Sequence, residues 1–93
     1  MSVTIRIPRV MQRHTGGQAE VQAQGATVGE ALQDCASQHE GAREMLYSED
    51  GEVRKHVVNV YVNEEDVRFL QKLDTPLQSG DEVLLLPSMS GGR

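Results

Sequence analysis

Cysteine is nearly absent from this chain: Cys35 is the only one in 93 residues. No intrachain disulfide can form, and a single thiolate cannot hold an iron–sulfur cluster or a thiolate metal centre. A reducing, cytoplasmic compartment fits that composition. Tryptophan is missing and aromatics are scarce, limited to Phe69, Tyr47 and Tyr61. The core must therefore be built from Val, Ile and Leu, with Phe69 the one phenylalanine available as an anchor. No apolar run approaches membrane-spanning length, and Met1 to Arg6 lacks the apolar stretch of a signal peptide. Basic charge is also short, 9 Lys+Arg against 14 Asp+Glu for a net of -5. Nucleic acid and anionic membrane are poor partners for such a chain, because both need a basic footprint.

Side-chain chemistry is sparse as well. His14, His39 and His56 lack the spacing of metal ligands. Glu49-Asp50-Gly51-Glu52 lacks the alternating ligands and distal Glu of a calcium loop and reads as a solvated turn. No nucleophile elbow, phosphate loop or dinucleotide fingerprint occurs. The residues offer no catalytic site, no metal site and no bound cofactor.

What is present is a patterned single domain, residues 1–87, followed by a small polar tail, residues 88–93. Val3, Ile5 and Ile7 alternate with polar residues up to Pro8, which predicts a half-buried strand. Val21 and Ala23 form a weaker second strand, joined through the turn-forming His14-Thr15-Gly16-Gly17. Thr27 and Glu30 have capping-box spacing, and Val28, Ala31, Leu32, Cys35 and Ala36 follow as one helical stripe. Gly41 is the expected stop, with Ala42, Met45 and Leu46 able to add another turn. Cys35 on that stripe is expected to be a buried, inert thiol.

His56 to Val62 predicts the strongest strand, with Val58, Val60 and Val62 on one face and Val57, Asn59 and Tyr61 on the other. Val67-Arg68-Phe69 is expected as a short strand, and Val83 to Leu86 as the closing one, ended by Pro87. A hairpin followed by one amphipathic helix buries that helix against one face of a mixed sheet. The expected class is α+β, a ubiquitin-like β-grasp with a mixed sheet on one main helix. Element order alone leaves other small α+β folds open.

The tail ends in Gly91-Gly92 before Arg93. With glycine at ~7%, such a pair at a given position is a roughly 1-in-200 event. Two residues without Cβ let a backbone thread a narrow channel toward another protein's nucleotide site. A partner face also follows from the alternation. With Val83 and Leu85 inward, Leu84 and Leu86 face out, and Tyr61 faces out on its own strand. If those strands are neighbours, the three side chains form an exposed apolar patch. Glu64, Glu65 and Asp66 would add an acidic rim for a basic partner.

Longer segments carry a resemblance. Val3-Thr4-Ile5-Arg6-Ile7-Pro8, His14-Thr15-Gly16-Gly17 and the run Val58 through Phe69 are similar to the ThiS/MoaD family of sulfur carriers. Leu77, Gly80-Asp81-Glu82-Val83 and Pro87 through Gly92 complete the pattern. Within that family the chain most resembles the CysO-like members that feed cysteine synthesis. The resemblance implies a cycle in which a ubiquitin-activating-type adenylating enzyme uses ATP to activate the Gly92 carboxylate. A sulfur nucleophile then leaves a thiocarboxylate, which a sulfur-accepting biosynthetic enzyme consumes. Members of the family mostly end at the second glycine, so the resemblance leaves two readings of Arg93: a residue removed by processing, for which a metal-dependent peptidase is the natural candidate, or a chain that is not a carrier as encoded. Other readings share the fold: a protein modifier joined to lysine, a small subunit of molybdopterin synthase, or a non-covalent adaptor with an idle tail.

Overall fold

The structure, a computed structural model, describes residues 2–52 and 58–87. Five strands form one sheet: β1 (Ser2–Arg6), β2 (Glu20–Gln24), β3 (Val58–Val62), β4 (Glu65–Asp66) and β5 (Glu82–Pro87), in the order β2-β1-β5-β3-β4. The β1–β2 hairpin sets Val3 against Ala23 and Ile5 against Val21, so both strands bury the same face. Parallel to β1, the closing strand β5 takes the centre of the sheet with Val83 beside Ile5. β3 pairs antiparallel on the other side of β5, and the two-residue β4 is outermost. This is the expected mixed α+β β-grasp sheet.

Helix α1 (Val28–Gln38) lays Val28, Ala31, Leu32, Cys35 and Ala36 into the core, as its stripe predicts. Its start is capped reciprocally. Thr27 Oγ1 accepts the Glu30 backbone N–H at 3.2 Å, while the Glu30 carboxylate accepts the N–H of Ala26 at 2.8 Å. Each such cap contributes about 1 kcal/mol. The helix stops at Gln38 rather than Gly41, because His39 turns extended and starts α2 (Glu40–Leu46). Gly41 sits inside α2, where a Cβ would lie 2.7 Å from the carbonyl oxygen of His14. The glycine is there for close approach, not termination.

The core is aliphatic: Ile5, Leu32, Leu46 and Leu85 are its largest fully buried side chains. Burying one such side chain contributes about 1.5–3 kcal/mol. Phe69 is not an anchor; it is 84% exposed. The expected strand Val67–Phe69 is a 3-10 turn, and the outer strand is the two residues before it. Asp66 causes the difference, since its carboxylate accepts the Arg68 backbone N–H at 2.8 Å and curls the chain out of the sheet. The hairpin connection is likewise more ordered than a plain turn. Arg9–Thr15 is a 3-10 helix closed by Gly16 at φ 67°. Thr15 is fully buried there, its hydroxyl within reach of the carbonyls of Gln12 (3.1 Å) and Gln18 (2.9 Å). Glu49 to Glu52 is the expected turn, with Glu52 C=O accepting from Ser48 N–H at 2.8 Å. His56 and Val57, expected to open β3, lie outside the described residues.

Candidate functional site

Strand register decides which residues form the outward face. In the β3–β5 ladder Tyr61 stands directly opposite Leu84, and Asn59 opposite Leu86, while Val60 and Val62 meet Leu85 and Val83 on the core side. The three apolar residues predicted to face out therefore do so together. Leu86 keeps 37% of its surface exposed; Tyr61 and Leu84 are half-buried by each other and their neighbours. On its other side Leu84 pairs with Arg6 of β1. The Arg6 guanidinium bonds Glu20 at 2.9 Å and Glu82 at 3.0 Å, bounding the patch with an exposed ion-pair cluster. Exposed pairs of this kind add little stability; here they set the polar edge of an apolar surface. Pro87, which follows Leu86, pairs with Val58 at the end of β5. The patch thus runs to the point where the tail begins. Gly91, Gly92 and Arg93 themselves lie outside the described residues.

The predicted acidic rim divides. Asn63 and Glu64 connect β3 to β4 with φ of 49° and 78°, the positive values of a type I′ hairpin turn. Glu64 and Glu65 are exposed there. Asp66 is not available in the same way: it is 8% exposed and its carboxylate takes the Arg68 guanidinium at 2.7 Å. Hydrogen bonds from the Arg68 side chain, then from its backbone N–H, hold the Asp66 carboxyl below the usual carboxylate range. The Asn63 amide fixes the turn to β5, donating to Asp81 at 3.2 Å and accepting from Glu82 N–H at 3.1 Å. Phe69, exposed at the end of the 3-10 turn after Asp66, is not among the predicted contact residues. An isolated Phe between a charged residue and a leucine reads as core, and only the Asp66 turn exposes it.

Cys35 is fully buried, and burial, helped by the neighbouring Asp34 charge, pushes its thiol up to about 11. It is a packing residue, not a nucleophile. Among the described residues no group of three or more His, Cys, Asp or Glu could hold a metal ion, and no helix is long and apolar enough to cross a membrane.

Residues 5–92 match the ThiS family. The chain belongs to the ThiS family. It is 42% identical over 93 residues to the sulfur carrier protein CysO of Mycobacterium tuberculosis, covering 99% of this chain and 100% of that one. The crystal structure of the Amycolatopsis orientalis BexX/CysO complex contains a chain 43% identical, with TM-score 0.81, covering 97% of this chain and 99% of that one. SAMP1 of Haloferax volcanii superposes with TM-score 0.83 at 28% identity, over 99% of this chain and 100% of that one. The family and these neighbours make this ThiS-family chain a ubiquitin-like protein of the sulfur-carrier type, not an enzyme. A CysO relative is seen in complex with another protein.

Proposed function

We propose that this chain carries sulfur as a thiocarboxylate on Gly92. The observation that carries the reading is the Tyr61–Leu84–Leu86 face, which runs into Pro87 in a chain that matches the carrier family through Gly92. Arg93 is first removed, by a metal-dependent peptidase in the simplest scheme, which frees the Gly92 carboxylate. An adenylating enzyme of the ubiquitin-activating type docks on the face. In its site a carboxylate oxygen attacks the α-phosphorus of ATP and pyrophosphate leaves. The acyl adenylate is needed because carboxylate oxygen is a poor leaving group and AMP a good one. A sulfur nucleophile then attacks the acyl carbon, AMP departs, and the thiocarboxylate is handed to an enzyme that makes cysteine or a related thio-metabolite. The carrier contributes recognition and positioning; ATP belongs to the activating enzyme. Glu64 and Glu65 rim the face for a basic partner, with Asp66 held aside by Arg68.

The likeness to SAMP1, a small archaeal modifier protein, supports a second reading in which the same activated Gly92 is joined to a lysine amine. Activation is shared, so the product tells them apart. ATP–pyrophosphate exchange with the cognate activating enzyme tests both. A form ending at Gly92 is expected to support exchange, and the form keeping Arg93 is not. Leu84→Asp in the shorter form is expected to lower exchange by about tenfold or more, since a charge replaces a central apolar contact. Equal exchange for the forms with and without Arg93 would sink the mechanism.

A further inference from the structure

At the far end of the sheet from the hairpin lies a groove of about 200 Å³. Val58 and Val60 face the core and Asn59 the opposite side, yet all three line the groove, so it opens on the edge of β3. β4 pairs only with Tyr61 and Val62 before the Asp66 turn takes the chain away. Among the described residues no strand covers Val58 to Val60 on the side away from β5. Open strand edges with side-chain pockets accept extended peptides by strand addition.

The groove's chemistry narrows the occupant. Val67 and Leu73 complete an apolar wall. Among the described residues Asp66 is the only carboxylate lining it, and it is already engaged by Arg68. Lys72, at the same groove, has no ion pair among the described residues. Its backbone is held at φ 55° while its carbonyl accepts the Thr75 hydroxyl at 2.7 Å and the Thr75 N–H at 3.1 Å. An apolar cleft with one uncommitted ammonium, in a chain of net charge -5, is a local cationic site. A second copy fits it poorly, because edge-to-edge pairing would set the uncommitted Lys72 against the same cationic groove and bring no free carboxylate to it.

We propose that the open edge of β3 docks an extended, acidic segment of a partner protein. The segment adds as a further strand, sinks an apolar side chain into the groove and sets a carboxylate against Lys72. Val58 also pairs with Pro87, so the docked strand lies one strand from the start of the tail. The site does not depend on tail chemistry and can be tested without it.

The probe is an acetylated, amidated hexapeptide of alternating valine and aspartate, titrated into the nitrogen-15-labelled full chain and followed by NMR. A valine–lysine hexapeptide is the control. Saturable shifts are expected at the amides of Val58, Asn59, Val60, Val67 and Leu73. Affinity is expected to fall about tenfold for the lysine peptide and for Lys72→Glu. Lys72→Asn, which tolerates positive φ, is expected to weaken binding without changing the remaining spectrum. Four results would each overturn the proposal: no saturable shift at millimolar peptide, equal binding of both peptides, shifts confined to β2 or the Leu84 face, or self-association through the same amides.

Discussion

Replacing Gly41 by alanine sets two physical effects of known size against each other. Alanine is favoured over glycine within a helix by up to about 1 kcal/mol, so an unencumbered glycine in α2 would make Gly41→Ala stabilising. The structure reverses the sign. The new Cβ would sit 2.7 Å from the His14 carbonyl oxygen and 3.1 Å from the His14 Cα. Carbon–oxygen contacts settle near 3.3–3.6 Å, so α2 must retreat from the Arg9–Thr15 helix by roughly 0.6 Å. The opposing atoms are backbone, and both elements are anchored by buried side chains, Met11 and Thr15 on one and Ala42, Met45 and Leu46 on the other. Overpacking of this kind costs about 1–3 kcal/mol. The net expectation is a loss of about 1 kcal/mol, or roughly 4–8 °C in Tm for a domain this size. Urea unfolding followed by circular dichroism should show a lower midpoint at unchanged m. His14→Ala should not rescue it, because no side-chain atom is in the way. A Gly41→Ala protein as stable as the parent, or more so, would refute the close-approach account.

Glu64 holds a φ of 78° in the β3–β4 turn, a conformation that costs a residue with a Cβ about 1–2 kcal/mol. Glu64→Gly should therefore raise the urea midpoint, by about 1 kcal/mol of stability, and a lowered midpoint would contradict the turn assignment. Cys35 should resist a thiol reagent at neutral pH while folded and react at once in denaturant; rapid native-state labelling would show that the thiol is not buried. The same residue has an alkaline signature. Its thiol ionises near its ordinary 9.0 when unfolded and near 11 when folded. The folded state thus loses stability as pH rises from about 9 to 11, and Cys35→Ala should lack that part of the decline in pH-dependent urea midpoints.

Local pattern alone makes much of this molecule legible. The period-two runs of β1, β3 and β5 and the stripe of α1 each face one way, so alternation alone placed Leu84, Leu86 and Tyr61 outward. That they form one patch required the register of β3 on β5, which the separate strands do not reveal. Long-range packing hid the rest. Gly41 looks like a helix stop because the carbonyl it accommodates belongs to His14, far back in the chain. Phe69 looks like an anchor because the hydrogen bond that ejects it, donated by the Arg68 N–H to the Asp66 carboxylate, leaves no trace in hydropathy. The Arg68 partner of Asp66 stands only two residues on, but three consecutive acids read more simply as a solvated turn. The open edge of β3 was invisible, since it depends on how early β4 ends.

Intact mass spectrometry of the protein from its native cell, with the terminal peptide sequenced, tests the carrier role most directly. The account predicts a species ending at Gly92 in which one oxygen is replaced by sulfur. A single species retaining Arg93 under sulfur-demanding growth would contradict it.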